Sequence, residues 1–273
     1  MRNGARTVPM ILTVLSALTA TAGEKGSRSG RPATRALAFF EADGATIPEF
    51  LAGHRPAPLS PALRAQVVAS LPQKGELRPT AAERAKLAAI EPVLDLHGRK
   101  GTVEIKVIEV GQAFVGLHAR TVLLLSRDAL ALLTPEELQA ATAHELGHEY
   151  VWNEYQAAMA HASYPRMQEL ELVCDGIAVM SLRALDLDPA RLIAAVTKMT
   201  RYNERRGATA TARSYVPLDE RRRFIDLVSA RTRAWAARVT LDESQGDDDR
   251  ERDRGLSSPG SPSGTSRASR ILR

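Results

Sequence analysis

Residues 134–148 read TPEELQAATAHELGH. Thr134 can cap a helix, and Pro135 fits the first helical position, where its missing N–H costs nothing. Glu137, three residues after the cap, can close a capping box. The helix is expected to run to about Tyr155. Ala140, Ala141, Leu146 and Val151 give it an apolar pattern, so it reads as a packed helix and not a surface one. Within it, His144 and His148 are four residues apart and share a face, so both imidazoles can reach one metal ion.

Glu145 stands beside the first histidine and can take a proton from a water held at the metal. This HExxH spacing is that of zinc-dependent proteases. A catalytic zinc usually has three protein ligands and one open position. The next expected helix, about Arg166 to Leu185, offers carboxylates at Glu169, Glu171 and Asp175. Glu171 and Asp175 share a face and Glu169 points elsewhere. Packed against the first helix, Glu171 can be the third ligand, and Asp175 can accept a hydrogen bond from a liganding histidine. Taken alone, the two would be an ordinary solvated pair; one helix after HExxH, the ligand reading is preferred.

Outward from this centre, Val103–Val110 (VEIKVIEV) alternates with the period of a half-buried strand, and Thr121–Leu125 (TVLLL) reads as a buried one. Either that strand or its edge neighbour can pair with an extended peptide. Further helices are expected from Pro189 to about Arg205 and from Pro217 to about Arg238. Residues 36–100 contain short helical stretches broken by prolines, with Thr80–Leu96 the clearest. The aromatic content of 4% leaves Ala, Leu, Val and Ile to build the core, which favours helices. The fold class read from this is α+β: mainly helical, with a small β-sheet.

At the N-terminus, Arg2 and Arg6 precede an apolar run, Val8–Leu18, followed by Ala20-Thr21-Ala22. That is the layout of a secretory signal peptide, too short for a comfortable membrane span. No later segment reaches the length of a transmembrane helix, so a periplasmic or secreted protein is expected. The domain reading is a signal peptide at 1–22, a linker at 23–35, an N-terminal helical region at 36–100, a zinc metallopeptidase domain at 101–240 and a disordered tail at 241–273. The single cysteine, Cys174, excludes a disulfide scaffold and cysteine-rich metal sites. The net charge is +5, and residues 198–238 hold eleven Lys/Arg against four Asp/Glu. Without interleaved aromatics this stretch reads as a solvated helix face, and no nucleic-acid partner is expected.

The chain resembles the zinc metallopeptidases related to the CAAX prenyl protease, the HtpX heat-shock protease and the BepA-type periplasmic proteins, all gluzincins. The resemblance rests on Gln112–Gly116 (QAFVG), Thr121–Arg127 (TVLLLSR), Pro135–His148 and Glu171-Leu172-Val173-Cys174-Asp175, and on Ser214–Arg221 (SYVPLDER). It spans about residues 111–230. It implies a mainly helical, zincin-like metallopeptidase domain and one zinc per chain held by His144, His148 and Glu171, with Glu145 as general base, Asp175 behind the ligands, and a protein or peptide substrate. Two positions depart from the family: Cys174 stands for an alanine, and Tyr215-Val216 for a histidine before Pro217. Tyr215 is the candidate catalytic donor in its place, with Arg213 and Arg221 as alternative sources of charge. The function expected is exported zinc metalloendopeptidase; the alternative is a zinc-binding envelope chaperone or assembly factor of the same fold with little or no proteolysis.

Overall fold

The computed structural model describes residues 30–41, 46–71, 76–207 and 215–233. All belong to one compact unit. The segments read as signal peptide and tail lie outside these residues. The chain runs α1 (Gly30–Ala38), α2 (Ile47–His54), α3 (Pro61–Ser70), β1 (Glu76–Leu77), α4 (Ala81–Ala88), α5 (Glu91–Leu96), β2 (Glu104–Ile108), β3 (Val115–His118) and β4 (Val122–Ser126). It continues with α6 (Arg127–Leu132), α7 (Pro135–Tyr150), α8 (Trp152–Ala160), α9 (Tyr164–Ala184) and α10 (Ala190–Arg205). Residues 218–233, here α11, are helical. The architecture is α+β: mostly helices, with a mixed four-stranded sheet ordered β1-β2-β4-β3.

β2 and β4 are parallel, from Glu104 opposite Val122 to Ile108 opposite Ser126. β3 returns antiparallel to β4 and occupies an edge of the sheet. Along β3 the side chains alternate. Val115 and Leu117 join the main core with α7, whereas Phe114 joins Val122, Leu124 and Leu71 in a second cluster on the other face.

α7 starts where its cap predicts. The Thr134 hydroxyl accepts from Glu137 N–H, and the Glu137 carboxylate accepts from Thr134 N–H. The helix is buried along almost its whole length, between β3 on one side and α9 and α10 on the other. Gly147 makes the closest approach possible: a Cβ there would lie 2.8 Å from the Cys174 Cα of α9. Behind α9, Phe40 fills the space over Gly176, where a Cβ would come within 2.2 Å of the ring. Phe39, Phe40, Phe50 and Phe224 form one aromatic group there, tying α1, α2 and α11 to the back of α9.

Four local expectations are corrected. Residues 30–35, read as linker, belong to α1, because Ala33, Ala36, Leu37 and Phe40 form an apolar stripe at helical spacing against the core. The helix expected over Thr80–Leu96 is two, α4 and α5. Pro92 has no N–H for the Ala88 carbonyl and its ring crowds that position, so the chain turns at Ala89 and Ile90. The helix expected to reach Tyr155 stops at Tyr150. Val151 leaves helical geometry (φ −121°, ψ 21°) with its side chain in the core, within a run of weak helix formers. β3 is a strand that its short, glycine-containing sequence does not announce.

Candidate metal centre

His144 and His148 project from one face of α7, with ring centroids 5.3 Å apart and nearly perpendicular planes. Together with Glu145 they form a buried group whose ligand atoms all lie within 4.8 Å of one another, and this group can hold a metal ion. Glu145 is wholly buried. Its Oε2 accepts a hydrogen bond from Leu117 N–H of β3 at 3.0 Å, while Oε1 has no partner. The helix thus presents the carboxylate and the edge strand fixes its angle.

α9 brings the second set of groups. Asp175 Oδ1 lies 2.8 Å from His144 Nδ1, and both residues are fully buried. That bond turns His144 Nε2 toward Glu171, whose Oε2 is 3.4 Å away; Nε2 itself makes no hydrogen bond. Glu171 Oε1 stands 3.8 Å from His148 Nε2. One carboxylate therefore faces the Nε2 atoms of both histidines. Arg221 of α11 closes the far side. Its Nη2 donates to Glu171 Oε2 at 3.2 Å, and its Nε makes an ion pair with Asp175 Oδ2 at 3.1 Å.

The electrostatics follow from burial and pairing. Burial opposes a charge on His144, but the contacts to Asp175 and Glu171 prevail and raise its pKa to about 9. His148 has no such close acceptor, and burial pulls it down to about 4. Burial pushes Glu145 up to about 8, with His144 opposing the rise. Burial works against ionised Glu171 too, but His148, His144 and Arg221 overcome it and hold the carboxyl well below the usual range. The orphaned Nε2 of His144 and Oε1 of Glu145, in a cradle of two nitrogens and carboxylate oxygens, fit a divalent metal cation.

The other residues singled out in the sequence are placed as follows. Tyr215 precedes α11 half-buried; its backbone carbonyl accepts from Gln168, and its hydroxyl has no hydrogen-bond partner among the described residues. Burial raises its pKa, and Arg221 and Asp175 are among the charges it senses. Arg213 lies outside the described residues. Cys174 is buried against Gly147, and Glu169 pairs with Arg166 and Arg35, away from the metal group. His118 ends β3 on the face of the second apolar cluster, and His97 is buried between Tyr150 and Ser181. In the basic stretch, Lys198 pairs with Glu137 and Arg223 with Asp219, and Arg221 is interior.

Sequence reading missed Tyr155. From α8 its hydroxyl donates to Glu171 Oε1 at 2.8 Å, and its ring meets His148 edge-on at 4.9 Å. Seven residues after His148, it would share that histidine's face on the unbroken helix the sequence suggests. That spacing signal could have found it, although the helix breaks at Val151. The Leu117 N–H carries none, because a backbone donor has no residue type. Comparison with protein-family models and with curated protein sequences returned no match. Among the described residues no helix is long and apolar enough to cross a membrane.

Proposed function

We propose that this chain is an exported zinc-dependent metalloendopeptidase of the HtpX-like gluzincin type, with His144, His148 and Glu171 as ligands and Glu145 as general base. The observation that carries the reading is the single Glu171 carboxylate facing both imidazole Nε2 atoms, with the unpartnered Oε1 of Glu145 beside them. Glu171, and not Glu145, is taken as the third ligand because Glu145 is already tied to β3 through its other oxygen.

When bound, zinc would polarise the peptide carbonyl and acidify a water. Glu145 takes the water's proton on Oε1 and passes it to the leaving amine. Its pKa of about 8 falls beside a dication, which favours the carboxylate needed for this role. Asp175 holds His144 in the tautomer that leaves Nε2 free for a metal. On β3, Phe114 and His118 bond inward to the β4 side, so the alternation turns the backbone of Val115 and Leu117 outward. Apart from the Leu117 N–H, which Glu145 takes, that edge can accept an extended peptide as a further strand.

The test is zinc content of purified protein together with peptide hydrolysis by wild type and Glu145→Gln. Near-stoichiometric zinc in both, with turnover only in wild type, is expected. Tyr215→Phe then examines the proposed donor to the developing oxyanion. A hundred- to thousand-fold fall in turnover, about 2.7–4 kcal/mol of barrier, is expected with zinc affinity unchanged. Full turnover in that variant removes Tyr215 from the mechanism.

A second reading, a zinc-binding chaperone or assembly factor with little proteolysis, draws on the enclosure of the site. His144 and Glu145 are 0% exposed and His148 2%. Zinc bound by wild type with no hydrolysis of unfolded protein would favour it.

A further inference from the structure

Two carboxylates one turn apart on α7 reach across to the same hairpin. Glu145 receives the Leu117 N–H, and Glu149 Oε2 receives Arg120 Nε at 3.3 Å. Glu149 is buried, and it also takes Arg99 Nε at 2.8 and 3.0 Å and Arg99 Nη2 at 2.8 Å. The two guanidiniums then spend another N–H on adjacent backbone carbonyls between α2 and α3. Arg99 Nη2 donates to Pro56 and Arg120 Nη2 to Ala57, each at 2.6 Å.

Arg120 pays for this reach in backbone conformation. The β3–β4 connection, residues 119–121, contains a turn closed by Thr121 N–H on the His118 carbonyl at 3.0 Å. The turn's central residues, Ala119 (φ 46°) and Arg120 (φ 57°), are both left-handed, where Asn and Gly are the favoured residues. An arginine held there by a buried carboxylate and a carbonyl is an outlier that calls for a function.

We propose that Arg120 and Glu149 are a positioning pair. They fix the edge strand β3 against the helix that carries Glu145, and so set where a peptide paired with β3 presents its carbonyl. The proposal rests on the peptidase reading above. Without the pair, the outer edge of β3 is held to α7 chiefly by packing and by the Leu117–Glu145 hydrogen bond, and a shift of the strand moves the peptide and the base relative to each other.

Arg120→Gly is the discriminating variant. It supplies the residue that the turn's φ favours, and it leaves Glu149 paired with Arg99, so no buried charge is orphaned. On the full chain without metal, exchange of the Leu117 amide is expected to quicken roughly tenfold, with the melting temperature and the other core amides unchanged. With zinc, affinity for the ion stays at the wild-type value, while kcat for an extended peptide falls and KM rises. Unchanged Leu117 exchange and unchanged kinetics would overturn the proposal. So would a general loss of protection with a lower melting temperature, since that marks a merely structural arginine. If wild type binds no zinc and cleaves nothing, the peptidase reading fails, and Leu117 exchange alone then decides whether the pair holds β3.

Discussion

The Tyr155 hydroxyl donates to Glu171 Oε1 at 2.8 Å while its ring lies edge-on against His148. One side chain from α8 thus orients two of the proposed ligands. Tyr155→Phe removes the hydrogen bond and keeps the ring contact. Zinc affinity is expected to weaken about 10- to 100-fold, the usual effect of losing a partner behind a ligand. A competition titration with a chromogenic chelator measures it. Wild-type affinity would mean that Glu171 needs no such support.

Gly147 lets α7 and α9 touch. In Gly147→Ala the new methyl meets backbone, not a flexible side-chain end, since the nearest atoms are Cys174 Cα at 2.8 Å and its carbonyl oxygen at 3.0 Å. The helices must part, at a cost of about 1–3 kcal/mol. Glu171 then recedes from the histidines, so stability and zinc affinity should drop together. Chemical denaturation and metal titration of the same sample report both; a stable variant with tight zinc contradicts the close-approach argument.

His97 gives the protein an acid-sensitive core. Ser181 donates its hydroxyl to the Ile177 carbonyl, so His97 Nε2 is the donor to Ser181, and Nδ1 accepts from the Tyr150 hydroxyl, 2.8 Å away and much closer than that hydroxyl's other acceptor, the Leu51 carbonyl at 3.4 Å. The ring is therefore neutral, and burial, with Arg99 and Arg55, lowers its pKa from 6.5 to about 3. Between those values the unfolded chain binds a proton that the folded chain refuses, so stability rises with pH across the window and is lost as pH falls. Urea unfolding of wild type and His97→Gln at several pH values isolates this contribution. The variant's curve should be flatter below about pH 6.5, and parallel curves would remove His97 as the source.

His144 predicts how metal uptake depends on pH. With a pKa of about 9 it is charged at neutrality in the metal-free chain, and a ligand must shed that proton. Zinc affinity should rise as pH increases toward 9, and binding at neutral pH should release about two protons, one from His144 and one from Glu145. Calorimetry in two buffers of different ionisation enthalpy counts the protons. An apparent binding heat independent of buffer would show that His144 and Glu145 are both already deprotonated.

The sequence shows most clearly what lies within one element. The cap at Thr134 and the four-residue spacings of His144/His148 and Glu171/Asp175 are local, and the start of α7 and both ends of α9 and α10 stand close to their expected bounds. β2 and β4 announce themselves by alternation and by a β-branched start. β3 does not, because four residues including Gly116 hold too little pattern and its strand character comes from pairing with β4. The break at Val151 is likewise set by the core that receives its side chain. The contacts of Tyr155, Arg221 and the Leu117 N–H with the site exist only after packing. Arg221 reads from sequence as an alternative source of charge for the site, but only packing shows that it pairs with Glu171 and Asp175 from the far side.

The division of the site between α7 and α9 has a consequence for biosynthesis. A chain emerging from the ribosome shows its histidine pair first. Glu171 and Asp175 follow only after α8, and the arginine that balances them later still, on α11. During that interval any captured ion would sit in a half-built site open to competing ligands. On the proposed metal-binding reading, loading therefore belongs after the helices have docked, in the compartment where the chain completes its fold.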